Sequence, residues 1–275
     1  MNALTQPKVN GWHAQMHMRF GVRDSRTKMV EGHRAGPLSV QRGFYPEGAL
    51  CHSYLLHPPG GVVGGDRIDV TCQVDTNAQA LVTTPGATKF YRSSGATAYQ
   101  HQVLRVDAEA SLEWLPQETI YFSGAQARLV THVELHPNGR FIGWEMHCAG
   151  RPVMQEAFNE GQVWTALNLT SEGQPLLRDL SQFGAQHNSA SHRDYAMQST
   201  LVAGWADDSD LGTARQVLAQ HAGLLAGATL VDGLLVIRAL CQSTDQVLPC
   251  WIDIWSALRP DIIGRPACPP RIWNT

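Results

Sequence analysis

HPPGGVVGGDRIDVTCQV, residues 57–74, decides how the rest of the chain is read. Its first ten residues hold four glycines and two prolines, entered by His57 and closed by Asp66. Proline fixes φ and removes a donor, while glycine tolerates positive φ and close backbone approach. The stretch is therefore a loop with one defined path, in which Gly60, Gly61, Gly64 and Gly65 let other backbone pack closely. The eight residues that follow alternate, with Ile68, Val70, Cys72 and Val74 on one face at period two. A long glycine-rich entry thus feeds a half-buried strand.

Outward from this point, residues 11–205 carry almost only strand and turn signals. Residues 43–56 are aromatic and extended, and 80–84 lead to the turn Pro85-Gly86. Residues 101–106 alternate, 112–115 form a short strand stopped by Pro116, and 128–135 and 140–147 flank the turn Pro137-Asn138-Gly139. Turns at this spacing predict a mainly β chain, a sandwich, barrel or solenoid, with no clear repeat to choose among them. The character changes after residue 207. Leu211, Ala214, Val217, Leu218, His221, Leu224 and Leu225 share a helical face, with Asp208, Ser209 and Asp210 as cap candidates and Gly227 as the stop. A strand over 229–240 follows, broken at Asp232-Gly233. A second helix is predicted over 244–258, with Pro249 tolerable only near its first turn, and then an extended proline-rich tail. The reading is one domain over 1–275, strand-rich to 205 and helix-strand-helix from 206.

Composition narrows the function. The 275 residues are 43% hydrophobic but only 16% charged, below the roughly 25% of typical soluble domains. A weakly polar surface with eight tryptophans points to a protein that works with partners. A net charge of −3 without a basic cluster excludes nucleic acid, whose binding rests on clustered Lys and Arg. The N-terminus lacks the basic start and apolar core of a secretory signal, and no apolar run approaches the ~18 residues of a membrane span. A cytoplasmic protein is expected, its six cysteines reduced because no CxxC pair occurs.

The glycine loop invites a phosphate-cradle reading, but a strand follows it instead of a helix. Lys89, the next lysine, lacks Walker A spacing, and GxGxxG is absent. Twelve histidines raise the question of metal. His13 and His17, His132 and His136, and His187 and His192 are closely spaced, and His132, Glu134 and His136 share one strand face without forming a zincin motif. Three carboxylates have unusual settings: Asp66 at the loop's end, Glu118 between Pro116 and Ile120-Tyr121-Phe122, and Glu145 between Trp144 and Met146. Buried carboxylates are costly unless paired, hydrogen-bonded or cation-bound, so these are candidate site residues. The structural alternative for each is an ion pair with Arg67, Lys89, Arg92 or Arg151.

Four segments in order resemble the UreD/UreH family of urease accessory proteins: HPPGGVVGGD (57–66), TTPGATKFYR (83–92), LEWLPQETIYFSGA (112–125) with GWEMHCAGR (143–151), and the terminal PRIWNT (270–275). His57, the four loop glycines, Lys89, Arg151, Arg271 and Trp273 are the motif positions. The resemblance implies a β-helix-like stack of strands with two helices near the C-terminus. It also implies a non-enzymatic scaffold that binds urease apoprotein and a UreF-type accessory protein, and through the latter a UreG-type GTPase. Nickel(II) is implied in transit, with no tightly bound cofactor. Carried over by motif, Asp66 and Glu145 match the family's proposed nickel-path carboxylates best, then Glu118, with Asp179 weaker. Spaced carboxylates and water bind nickel weakly enough to release it, which suits passage and not storage. Two other classes remain open: a β-solenoid or sandwich enzyme acting on a glycan through paired carboxylates, and a module binding small anions at the glycine loop.

Overall fold

The computed structural model describes residues 11–184 and 195–274; His187 and His192 lie outside them. Its strands are β1 (His13–Arg23), β2 (Arg26–Ala35), β3 (Ser39–Val40), β4 (Cys51–Leu56), β5 (Arg67–Val74), β6 (Gln79–Thr83), β7 (Thr88–Phe90), β8 (Ala98–Val106) and β9 (Ser111–Leu115). They continue with β10 (Thr119–Tyr121), β11 (Ala125–Leu135), β12 (Arg140–Ala149), β13 (Gly161–Ser171), β14 (Gln174–Gly184) and β15 (Met197–Gly204). After helix α1 (Asp208–Leu218) come β16 (Leu225–Val231), β17 (Leu234–Cys241) and helix α2 (Thr244–Ile262).

From β4 to β13 the chain coils. The first sheet has the order β14-β13-β11-β8-β5-β1-β2, the second β16-β17-β15-β12-β9-β6-β4-β3, with β7 and β10 paired beside β12. Each turn of the coil lays one strand in each sheet, so like neighbours run parallel: β5 with β8, β8 with β11, β6 with β9, β9 with β12. Parallel pairs need a crossover, and here the opposite sheet supplies it. This is the stacked, solenoid-like arrangement that the family resemblance implies. Antiparallel hairpins, β1 with β2 and β13 with β14, close the ends of the first sheet.

The alternation of residues 67–74 holds as read. Ile68, Val70, Cys72 and Val74 are buried between the sheets, against residues such as Leu104, Leu112, Trp114 and Phe141. The second sheet is buried on both faces because the helices cover its outer side. There Leu81, Leu115, Ile142, Trp144 and Leu201 meet Trp251, Ile254, Trp255 and Leu258 of α2. That double burial makes β9, SLEWL, read as a continuous apolar run around one charge. The charge is Glu113, fully buried, which accepts hydrogen bonds from Trp255 Nε1 (2.6 Å) and Arg259 Nε (2.9 Å). Arg259 also forks onto both oxygens of Glu47, at 2.7 Å each.

Three expectations need correction. α1 ends at Leu218 and not near Gly227; Leu225 opens β16, where it pairs with Leu240. Leu224 and Leu225 keep the helical period, but the open edge of β17 offers Leu225 a ladder. The cap is Asp207, whose side chain accepts from the backbone of Ser209 and Asp210. α2 runs to Ile262, beyond 258, with Pro249 past its first turn and Pro260 near its end. Burial of Trp251, Ile254, Trp255 and Leu258 outweighs the propensity cost of those prolines. Within residues 43–56 only 51–56 form a strand, with one bridge between Phe44 and His52. The break at Asp232-Gly233 is a two-residue hairpin turn with both φ values positive.

The glycine loop joins β4 to β5 and lies against residues 89–96. Val62 N–H donates to the Lys89 carbonyl (2.7 Å), and Tyr91 N–H donates back to Val62 (2.9 Å). A Cβ on Gly61 would sit 2.5 Å from the Tyr91 ring and 2.6 Å from the Lys89 carbonyl, whereas one on Gly60 would meet only Tyr91 Oη at 3.6 Å. Gly61→Ala is therefore expected to cost about 1–3 kcal/mol of stability, as overpacking does, and Gly60→Ala well under that. Urea unfolding of the two variants checks the contrast.

Glu47 supplies a second test. Burial alone would raise its carboxyl, but hydrogen bonds from His52 and Arg259 outweigh that and hold it at about 2. The folded value lies below the ordinary one, so its stabilisation, on the order of 3 kcal/mol, is present above about pH 4.5 and is lost as pH falls toward 2. Glu47→Gln should flatten the acid limb of a stability-against-pH curve measured by denaturant unfolding.

Candidate functional site

A cavity of about 320 Å³ opens between the two sheets beside the glycine loop. Ile68, Leu129 and Trp114 form apolar wall; the polar lining includes His57, Gln102, Gln117, Thr119, Glu145 and His147. A mostly apolar cleft with a few convergent polar groups is the usual form of a site.

The period of β12 explains the lining. Trp144, Met146 and Cys148 pack in the helix-covered layer, so Glu145 and His147 point the other way, between the sheets. Thr131 of β11 donates to Glu145 Oε1 at 2.5 Å. His147 Nε2 lies 3.4 Å from Glu145 Oε2, and His147 Nδ1 lies 2.9 Å from the Tyr121 hydroxyl. Burial, then the charge of Glu145, pushes the Tyr121 phenol well up, so it stays protonated. His147 thus bridges the Tyr121 hydroxyl and the Glu145 carboxylate.

The polar band continues past the cavity. Thr200 of β15 is the cross-strand neighbour of Glu145, and its hydroxyl lies 3.4 Å from Asp179 Oδ2. Arg238, half exposed, donates to the same oxygen at 3.1 Å. Glu145, Thr200 and Asp179 thus lead from the cavity to the surface. At the loop end His57 lies against Trp12, ring centroids 5.4 Å apart, with its buried Nε2 lacking a hydrogen-bond partner among the described residues. Burial pushes its pKa down, against the charge of Asp66, so the ring that lines the cavity is held toward its neutral form.

The four candidate carboxylates therefore part company. Glu145 lines the cavity and Asp179 is reached through Thr200. Asp66 is 1% exposed and serves the loop: Oδ1 accepts Trp12 N–H (3.2 Å) and Oδ2 accepts Val63 N–H (3.0 Å). Glu118 lies outside the cavity lining because Gln117 and Thr119, its neighbours, take that face. Burial first, then the charge of Asp245, pushes the Glu118 carboxyl up. The suggested ion pairs go elsewhere: Arg67 binds Asp69, Arg92 binds Glu160, and Arg151 binds Glu156 while lying over the Phe122 ring. Lys89 and Arg271 are exposed. Trp273 packs against Trp144 and Trp255 and donates to Thr83 Oγ1 (3.0 Å). The HVELH face is dispersed too, with Glu134 on Arg105, His132 against His101, and His136 Nδ1 accepting from Asn138 N–H. His147, Tyr121 and Thr131 escaped the sequence reading; the spacing of Glu145 and His147 in GWEMH, two apart on a strand, was the available signal for the first.

Glu145 is the one carboxylate among the described cavity lining, so the acid pair of a glycan hydrolase is not assembled there. The model of the UreD urease accessory protein family matches residues 13–274. The chain belongs to the UreD family. Similar proteins named urease accessory protein UreD include those of Alcanivorax borkumensis (40% identical over 282 residues, 100% of this chain and 96% of the relative) and Aliivibrio fischeri (42% over 286 residues, 98% and 100%). That of Escherichia coli is 42% identical over 272 residues, 97% of this chain and 98% of the relative. UreD membership implies a role in urease maturation, and accessory naming throughout these relatives accords with a non-enzymatic one. Among the described residues no helix is long and apolar enough to cross a membrane.

For this UreD chain, Asp66→Ala strips two backbone donors of their acceptor and is expected to cost about 1–3 kcal/mol. Denaturant unfolding measures it, and any loss of urease activation by this variant should track the folded fraction.

Proposed function

We propose that this protein is a urease maturation scaffold that binds urease apoprotein and a UreF-type protein, with a UreG-type GTPase recruited through the latter, and that nickel(II) passes along its interior polar band. The observation carrying this reading is Glu145 in the cavity wall, joined through Thr200 to Asp179 near the surface. A cation moving through a protein needs sites that hold it weakly and in series. Glu145 meets that need: it is a single carboxylate flanked by His147 and the Thr131 donor, without a second acid beside it in the described cavity lining. Asp179 is already opposed by Arg238, which keeps a cation from settling there.

Protruding apolar groups support the partner half of the proposal. Val153 and Met154, 83% and 68% exposed, stand on a turn that Arg151 and Glu156 brace from beneath. Apolar tips on a fixed turn favour protein contact. Six free thiols fit a reducing cytoplasm, where urease apoprotein would be met.

Glu145→Ala is expected to lower the nickel content and activity of co-expressed urease several-fold while the complex with the UreF-type protein and urease is still recovered by pull-down. Unchanged nickel content by elemental analysis would overturn the path through Glu145; loss of the complex itself would overturn the separation of transit from scaffolding.

A further inference from the structure

On the helix-covered side of the second sheet, away from the cavity, a second set of donors converges. Glu47 precedes β4, His52 lies on β4, and Cys268 lies in the tail after α2. One carboxylate oxygen, one imidazole nitrogen and the thiol sulfur of these residues all lie within 4.8 Å of one another. Among the described residues no other group of three such donors is so close. We infer that Glu47, His52 and Cys268 form a site for one borderline divalent cation of the nickel, cobalt and zinc class, which fastens the tail to β4.

Donor chemistry selects that class. Thiolate and imidazole exclude calcium and magnesium, which take oxygen ligands, whereas a mixed S, N, O set suits borderline ions. Tetrahedral ligation with bonds of about 2.0–2.3 Å needs donors roughly 3.5 Å apart, a small adjustment of donors that lie within 4.8 Å of one another, Glu47 and His52 at 2.7 Å. The tail is held close enough to make it. Arg265 donates to Gln79 Oε1 on one side of Cys268, and Trp273 donates to Thr83 on the other. Residues 266–270 between them are neither helix nor strand.

The hydrogen bonding of His52 leaves it a free donor atom for a metal. His52 is 1% exposed, and while Nε2 meets Glu47 Oε1 at 2.7 Å, its Nδ1 is buried without a hydrogen-bond partner. A neutral ring carries one proton, so one ring nitrogen is always a bare lone pair. Binding at Cys268 releases the thiol proton to solvent as the metal–sulfur bond forms. Access exists, because five of the six cysteines are buried and Cys268 is the one that is not.

Cobalt(II) titrated into the full-length protein is the probe. One equivalent should bind with the near-ultraviolet thiolate-to-cobalt charge-transfer band. Cys268→Ser, a mild change at a partly exposed position, should abolish that band and weaken nickel(II) binding at this site at least about 10-fold by calorimetry. Glu145→Ala should leave the band untouched, which separates this site from the cavity. Cobalt binding without the band, no binding, or an unaltered band in Cys268→Ser would each overturn the assignment and leave the cluster as hydrogen-bonded packing around Arg259.

Discussion

From β4 to β13 the chain crosses back and forth between the two sheets, and no two consecutive strands of that span pair with each other. Cys72 pairs across to Leu104, and Ala80 to Leu112, each partner arriving only after the chain has crossed to the other sheet and returned. Backbone polar groups must be paired wherever they are buried. The ladders, the core between them and the cavity therefore stand or fall together. The glycine loop is where one of these crossings is made, and its close fit to Tyr91 and Ser93 fixes the lateral position of β5.

The site follows from the same geometry. Parallel strands in register put residues of one row side by side, so Gln102 and Thr131 face Glu145 and His147 across the interior as members of stacked rows. Polar side chains between sheets would ordinarily weaken a core. Here each has a partner: Thr131 for Glu145, Tyr121 for His147, Arg238 for Asp179. Among the described residues, His57 Nε2 and Trp114 Nε1 are exceptions, and both residues line the cavity wall.

Much of this was legible in the amino-acid order, and what was hidden has a physical cause. Alternation in 67–74 and 128–135 named strands and inward faces because each of those strands buries one face only. Winding was not readable, since period two reports a strand's faces and says nothing of which sheet it joins; the family resemblance carried that step. α2 was read only to 258; buried tryptophans carry it on to Ile262 despite its two internal prolines. Glu145 stood out as a charge between two apolar residues. Asp66 stood out equally and does different work, because two backbone donors and a cavity make the same demand for a carboxylate. The Arg259 network was invisible: Glu47 and Arg259 are separated by 212 residues and Glu113 and Arg259 by 146, beyond any local pattern.

Those separations bear on the order of assembly. During synthesis β4, β6 and β9 emerge long before α2, and Glu113 then faces outward on a sheet whose neutralising guanidinium has not yet been made. A buried carboxylate without its partner is strongly unfavourable. The outer face of the second sheet must stay wet until Arg259 arrives, and the apolar residues beside Glu113 stay wet with it. Seating α2 is thus a late, all-at-once event that expels water from around Trp251, Trp255 and three charges together. A nascent chain stalled short of that helix would present a solvated apolar sheet to the cell, the form most in need of a chaperone or of an early partner.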